Sequence, residues 1–207
     1  MRNVTKLMEK AQRLKEKGLT TGEIADELNV SKKTALWMVT RKTSKGDVPQ
    51  DIFIDWSRVG ANPTILKYFS IALSELIREI IVQNKLPYPD VIAGIASSGI
   101  PIATLIAEDM EASLSIIRPK KHLWEPKSKK KISSFILSNF SDVKDKNVVI
   151  VDDIATSGNT LKDTIELLKR RGANPLAAVV LIDKKGIENI GGRPVRALVS
   201  IGLIDER

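Results

Sequence analysis

The sequence predicts an α/β protein in which a small helical domain precedes a mostly parallel sheet with flanking helices. Several short apolar runs, such as DVIAGI and NVVIVDD, are unbroken, as strands buried on both faces of a parallel sheet require. Stretches with helical spacing alternate with those runs. The first 47 residues, in contrast, show helical spacing only. We therefore expect two domains, residues 1–47 and residues 48–207.

The N-terminal domain is predicted to contain three short helices. Apolar residues recur at helical spacing over residues 4–14. Thr20 and Glu23 have the spacing of a capping box that begins a second helix, and Ser31 is placed to cap a third. The inward stripe of the third helix is predicted at Ala35, Met38 and Val39. The polar stretch TRKTSKGDVPQD that follows is either a linker or the tip of a β-hairpin wing.

Strands and helices alternate in the second domain. A long amphipathic helix over residues 64–84 comes first. The predicted strands begin at residue 90, where an apolar run enters a small-residue loop that ends at residue 99, and continue at residues 114–118, 147–153, 176–183 and 195–202. Further helices are predicted after residue 99 and over residues 159–171.

The composition indicates a soluble, cytoplasmic protein with anionic partners. Cysteine is absent and no apolar run approaches the roughly 18 residues of a membrane span, so disulfides and membrane insertion are not expected. The net charge of +8 is concentrated in two zones. Residues 1–47 hold 11 basic and 6 acidic residues, and residues 118–131 hold 7 basic residues and one acid. Two anionic partners, or one very large one, would suit these zones, and ordinary solvated lysines are the alternative.

The stretch VVIVDDIATSGNT, residues 148–160, predicts a site for a phosphorylated sugar. A strand delivers Asp152 and Asp153 to the carboxyl edge of the sheet, where open α/β folds bind ligands. Small side chains then let backbone N–H groups approach an anion, and a helix contributes its positive N-terminal end. Vicinal ribose hydroxyls, or a Mg²⁺ ion, are natural partners for the paired acids. The residues assigned to the cradle beside the two acids are Ala155, Thr156, Ser157, Gly158, Asn159 and Thr160.

This stretch closely resembles the phosphoribosyl pyrophosphate (PRPP) motif of the type I phosphoribosyltransferases. The resemblance extends over about residues 50–205 and implies that family's parallel sheet. It also implies that the two acids hold the ribose hydroxyls of PRPP and that the loop holds its 5-phosphate. GIASSGIPIA is similar to the family's pyrophosphate loop, which implies a pyrophosphate contact at Ser97, Ser98 and Gly99.

Within that family the resemblance is closest to orotate phosphoribosyltransferase, whose mobile catalytic loop is similar to RPKKH, residues 118–122. In an active enzyme, this resemblance implies that the catalytic residues are Arg118, Lys120, Lys121, His122 and Asp153. No cofactor or metal site is assigned, and Mg²⁺ is a candidate companion of bound PRPP.

The departures from the orotate enzymes fall on catalytic positions. Ser98 stands where those enzymes usually carry a lysine. Pro119 follows the arginine of the mobile loop, where it fixes φ and removes a donor. Lys162 stands where the orotate enzymes have an arginine that binds orotate. This replacement keeps the positive charge but loses the bidentate hydrogen bonding of the guanidinium group. These departures imply a retained PRPP site and leave no residue assigned to catalysis.

The stretch LTTGEIADELNVSKKTALWMV resembles a helix-turn-helix of DNA-binding domains. Residues at the exposed start of the second helix of such a motif meet base edges in DNA, and basic residues nearby meet phosphates. The DNA contacts implied are Ser31, Lys32, Lys33, Thr34, Arg41 and Lys42. A protein-docking module is the alternative. Leu36 and Trp37 do not fit the inward stripe, and packing against a wing or a dimer partner is expected for them. For Trp37, core packing is favoured over contact with a base.

Together the two domains resemble the archaeal phosphoribosyltransferase-like regulators of sugar catabolism. That resemblance implies a homodimer that binds a duplex DNA operator and senses PRPP or a related phosphorylated metabolite. Two alternatives remain open at this point. The chain could be an active orotate phosphoribosyltransferase that makes orotidine monophosphate, or a non-catalytic module whose basic zones bind RNA.

Overall fold

The computed structural model describes residues 2–40, 51–119, 135–138 and 141–202. The chain divides into two compact units, Met1–Asp55 and Trp56–Arg207. Residues 51–55, which the sequence assigned to the second domain, thus lie in the first unit. Asp51 is hydrogen-bonded within that unit, because its Oδ2 atom accepts a 2.7 Å hydrogen bond from the Ser31 N–H group. Within the described residues, no helix has the length and apolar character needed to cross a membrane.

The N-terminal unit contains three helices, α1 (Arg2–Glu16), α2 (Thr21–Glu27) and α3 (Lys32–Thr40). The predicted capping box at the start of α2 is confirmed. Thr20 Oγ1 accepts from the Glu23 N–H group at 3.3 Å, and Glu23 Oε2 accepts from the Thr20 N–H group at 2.6 Å. Helices this short are marginal alone, so packing around a shared core stabilises them. The buried core residues are Leu7, Ala11, Ile24, Ala25, Leu28, Val30, Ala35 and Met38.

The buried face of α3 differs from the predicted inward stripe. Thr34 is buried with Ala35 and Met38, whereas Val39 is only partly buried. Ser31 explains why a threonine is tolerated there: its Oγ lies 2.8 Å from Thr34 Oγ1 and accepts from the Thr34 N–H group at 3.1 Å. Because its hydroxyl is hydrogen-bonded, Thr34 enters the core without an unsatisfied polar group.

The second unit alternates helices and strands. Its helices are α4 (Ser57–Gly60), α5 (Pro63–Asn84), α6 (Gly99–Asp109) and α7 (Asn159–Arg170). Its strands are β1 (Val91–Ile95), β2 (Ser113–Pro119), β3 (Phe135–Leu137), β4 (Asn147–Ala155), β5 (Asn174–Asp183), β6 (Asn189–Ile190) and β7 (Arg193–Ser200).

The described strands form one sheet in the order β3-β2-β1-β4-β5-β7-β6. The pairs within β2-β1-β4-β5-β7 are parallel, and β3 and β6 add antiparallel pairs at the two edges. This topology confirms the predicted fold class. The five parallel strands are those that the sequence predicted. The edge strands are three and two residues long, too short to leave a hydrophobic pattern in the sequence.

Helices cover both faces of the sheet. One core joins α5 and α6 to Ile92, Val149 and Val151, and the other joins α7 to Ala93 and Ile150. Successive residues of a strand point to opposite faces, so each central strand contributes alternately to the two cores. This two-sided burial accounts for the unbroken apolar runs in the sequence.

The strand order reverses between β1 and β4. The chain passes from β1 to β2 on one side of the sheet and from β4 to β5 on the other. The helices that follow these strands lie on opposite faces of the sheet, α6 in one core and α7 in the other, so the loops at the carboxyl ends of β1 and β4 flank a crevice. In open α/β sheets, ligands bind in this kind of crevice.

The capping box at α2 gives a local test of the N-terminal unit. We expect Thr20→Ala to destabilise α2 by about 1 kcal/mol, because the first turn loses its side-chain acceptor. Amide hydrogen exchange in a peptide covering residues 21–27 should rise about fivefold. Thr21→Ala, one residue inside the helix, is the control and should leave exchange unchanged. Equal exchange in Thr20→Ala and wild-type protein would contradict this account.

Candidate functional site

The loops after β1 and β4 meet at the reversal point of the sheet, and a glycine permits their contact. A Cβ atom on Gly99 would lie 2.8 Å from Val151 O and 3.2 Å from Asp152 Cα. The backbone at the start of α6 therefore touches β4 at Val151 and Asp152 with no room for a side chain. The Ala96–Ser97 peptide bond in the β1 loop is cis. The structure thus brings Ser97, Ser98 and Gly99 to the same edge of the sheet as the paired aspartates.

Asp152 and Asp153 lie in the carboxyl-terminal half of β4, which continues to Ala155, and are 9% and 5% exposed. Asp152 Oδ1 accepts a 2.9 Å hydrogen bond from the Asp153 N–H group. Within the described residues, Asp153 forms no ion pair with a basic side chain. Nearly buried carboxylates are stabilised by hydrogen-bond donors or cations, which ribose hydroxyls or a Mg²⁺ ion would supply. The described residues include no group of three His, Asp or Glu side chains that would hold a metal without a ligand's help.

The loop after the aspartates leads directly into α7. Ala155 is buried, Thr156 is partly exposed, and Ser157 and Asn159 are exposed. Gly158 is the N-cap residue of α7, with φ +75°, and no side chain caps this helix end. The first N–H groups of a helix lack intrahelical partners and lie at its positive end. This end of α7, with the hydroxyl groups of Thr156, Ser157 and Thr160 nearby in sequence, has the chemistry of an anion cradle.

A third loop, after β5, packs against this cradle. A Cβ atom on Gly158 would lie 2.9 Å from Ile187 Cδ1 and 3.2 Å from Ile190 Cδ1. Lys184 donates its N–H group to Ala155 O at 2.9 Å, which joins the β5 loop to the end of β4. Gly158 is therefore favoured by its positive φ, and its missing side chain also leaves space for the ends of the two isoleucine side chains.

The residue that holds the β5 loop is Asp183, which sequence reasoning did not single out. It is 2% exposed, and its carboxylate accepts from the Lys185 N–H group at 2.8 Å and from the Ile187 N–H group. These bonds fix the turn that places Ile187 beside Gly158. The sequence feature that could have identified Asp183 is its position directly after an apolar run, like that of Asp152 and Asp153.

Comparisons with known proteins agree with this geometry. The sequence model described as "Phosphoribosyl transferase domain" matches residues 55–189. A protein of Methanobrevibacter smithii, named transcriptional regulator GfcR, is 45% identical over 205 residues, which cover 95% of this chain and 98% of the relative. The regulator of the same name from Haloferax volcanii is 37% identical over 215 residues, with full coverage of both chains.

The chain belongs to the GfcR family of transcriptional regulators.

Solved structures agree with the phosphoribosyltransferase fold of this GfcR-family chain. Orotate phosphoribosyltransferase from Aeropyrum pernix superposes with a TM-score of 0.54 at 18% identity, covering 88% of this chain and 94% of that enzyme. Adenine phosphoribosyltransferase from Rhodothermus marinus superposes with a TM-score of 0.54 at 20% identity, covering 72% and 88%. At these identities the likeness shows the fold alone.

The remaining predicted site residues of this GfcR-family chain are placed as follows. Arg118 is exposed near the end of β2. Lys120, Lys121 and His122, named for an active enzyme, lie outside the described residues, as do Arg41 and Lys42. Among the predicted DNA contacts, Ser31, Lys32 and Lys33 are exposed. Thr34 is buried and hydrogen-bonded to Ser31, so its side chain is withdrawn from the surface.

The contact at Gly99 can be tested by a single methyl group. We expect Gly99→Ala to lower the free energy of unfolding by roughly 1–3 kcal/mol, because the new Cβ meets a backbone carbonyl that has no room to move. This cost exceeds the roughly 1 kcal/mol that alanine gains over glycine in a helix. Thermal unfolding measures the change. Gly202→Ala, where a Cβ meets nothing within 4 Å, is the control. An unaltered melting temperature for Gly99→Ala would show that the loops are not held by this contact.

Proposed function

We propose that this protein is a DNA-binding transcriptional regulator of sugar-catabolism genes that senses PRPP or a related phosphorylated metabolite. The observation that carries the proposal is the pairing of two separate units in one GfcR-family chain. One unit presents exposed lysines on a short helix, and the other presents buried aspartates beside an uncapped helix end. An active orotate phosphoribosyltransferase is not favoured, because relatives that match the whole chain are named transcriptional regulators.

The proposed DNA-binding element is a helix-turn-helix formed by α2 and α3. The four residues 28–31 join the two helices, and Asn29 among them has a left-handed backbone at φ +52°. Lys32 and Lys33 are exposed at the start of α3, the part of a recognition helix that lies nearest the bases. Ser31 caps the helix and fixes this start. Thr34 is left out of the proposed contacts because its side chain is buried.

The proposed effector site lies between the loops that follow β1, β4 and β5. Asp152 and Asp153 would accept hydrogen bonds from the ribose hydroxyls, and residues 155–160 would hold the 5-phosphate. Ser97, Ser98 and Gly99 would hold the pyrophosphate. Bound Mg²⁺ would accompany the pyrophosphate and reduce its repulsion from the aspartates.

Regulation requires that the effector bind the DNA-competent and DNA-incompetent arrangements with different affinities. The coupling is reciprocal, so operator DNA would change the affinity for PRPP by the same factor as PRPP changes the affinity for the operator. A homodimer would match a two-fold symmetric operator. In an archaeal cell such a regulator works in the cytoplasm.

The effector site is tested by Asp153→Asn. We expect this change to weaken PRPP binding about 10- to 100-fold, since hydrogen bonds to a charged acceptor contribute about 1.5–3 kcal/mol. Calorimetric titration with PRPP and Mg²⁺ measures the affinity. DNA retention without PRPP should be unchanged. Asp163→Asn, an exposed acid on α7, is the matched control. Equal loss of PRPP binding and of DNA binding would argue against a separate sensing site.

The DNA element is tested by Lys33→Ala. Genomic fragments retained by the protein would first identify an operator. The variant should bind that operator several-fold more weakly, and the slope of log K against log salt should fall in magnitude by about 2, because a dimer loses two lysine–phosphate contacts. Lys67→Ala, an exposed lysine on α5, should leave both quantities unchanged. Wild-type slope and affinity in Lys33→Ala would exclude α3 as the DNA contact.

A further inference from the structure

The outward face of α3 carries one apolar side chain among polar ones. Lys32, Lys33, Leu36 and Thr40 are exposed, whereas Thr34, Ala35 and Met38 are buried. Residues three and four apart on a helix are neighbours on its surface. Leu36 therefore lies one turn after the two lysines and one turn before Thr40, in the middle of this face.

Leu36 is 50% exposed, and its neighbour Trp37 packs against the core of the unit instead. The sequence placed both residues outside the inward stripe and predicted packing roles for them. The structure separates them: Trp37 is explained by the core, and Leu36 is not. A single exposed leucine on an ordinary surface needs no explanation, but this one lies at the centre of the helix face that we propose to enter DNA.

The hydroxyl groups near Leu36 already form hydrogen bonds within the protein. Thr40 Oγ1 donates to Leu36 O at 2.7 Å, and Ser31 Oγ is hydrogen-bonded to Thr34. The two lysines carry positive charge, and α3 has no acidic residue. Lys32 Cε would lie 3.5 Å from a Cβ on Gly22, so its stem runs along α2 rather than outward from the middle of α3. This arrangement leaves Leu36 as the side chain best placed to meet a base edge in that turn.

We propose that Leu36 contacts the C5-methyl group of a thymine in the major groove and so determines part of the operator sequence. This inference rests on the proposed function, in which α3 is the recognition helix. In the major groove, guanine, cytosine and adenine present hydrogen-bond donors and acceptors, whereas thymine also presents an apolar methyl group. A leucine cannot satisfy the polar edges, but it can bury the methyl group. The flanking lysines supply the attraction to phosphates that brings the helix into the groove.

The test replaces thymine by deoxyuridine, which removes the methyl group and keeps the base pair. A series of operator duplexes, each with one thymine replaced, is titrated with the full-length wild-type protein. We expect replacement of one thymine in each half-site to lower the affinity about fourfold. This factor corresponds to about 0.8 kcal/mol for one buried carbon group, at about 1.36 kcal/mol per tenfold change in affinity. Replacement at the other thymines should have no effect.

The Leu36→Ala variant should bind the native operator more weakly and lose the discrimination between thymine and deoxyuridine at that position. Val4→Ala is the matched control, because Val4 is also 50% exposed in the same unit and lies on α1. It should retain the full fourfold discrimination. Both variants should melt at the wild-type temperature, since neither side chain is part of the core.

Two results would overturn the inference while leaving the proposed function standing. The first is specific operator binding by the wild-type protein with no deoxyuridine effect at any thymine. The second is the same fourfold effect in Leu36→Ala as in wild type, which would show that another group contacts the methyl. Failure of the wild-type protein to prefer any operator over bulk genomic DNA is a different result, and it would remove the proposed function itself.

Discussion

The contact between Gly99 and the β4 backbone at Val151 and Asp152 is the constraint on which the candidate site depends. The crevice at the reversal of the sheet becomes a ligand site only if the loops from β1 and β4 reach the same ligand. Gly99 achieves this by letting the start of α6 touch Val151 O and Asp152 Cα without an intervening side chain. Gly158 has a similar role, because its missing side chain leaves space for Ile187 of the loop after β5 and for Ile190 of β6. Three loops thus converge through two positions that lack a side chain, and Asp183 holds the third loop in register.

The sequence predicted those parts of the molecule that depend on local pattern. Unbroken apolar runs predicted the parallel sheet, because a strand that is buried on both faces has apolar residues at successive positions. The strand, loop and helix start around Asp152 and Asp153 are contiguous, so their order along the chain gives their arrangement in space. The capping box at Thr20 and Glu23 is equally local, and the structure contains it.

The features that the sequence did not predict depend on partners distant in the chain or on which side chains of α3 face the core. Asp51 bonds to Ser31 across 20 residues, and this contact places residues 51–55 in the first unit. Asp183 is important because of two backbone N–H groups beyond its strand, which residue type alone does not reveal. At α3, Thr34 was predicted to be an exposed DNA contact but is buried, whereas Leu36 lies outside the inward stripe as predicted. The Ser31 hydroxyl makes Thr34 compatible with the core, and this leaves Leu36 outside.

The pairing of β1 with β4 also governs how the chain acquires its structure during synthesis. Asp90 and Asn147, which are hydrogen-bonded beside these strands, are separated by 57 residues, and β5 is later still. At a translation rate of about 5–20 residues per second, β1 waits several seconds for its central partner. The N-terminal unit has a core of its own made by helices close in sequence, so it folds early. Each nascent chain therefore passes through an interval in which the helical unit is complete and the ligand site has not yet formed.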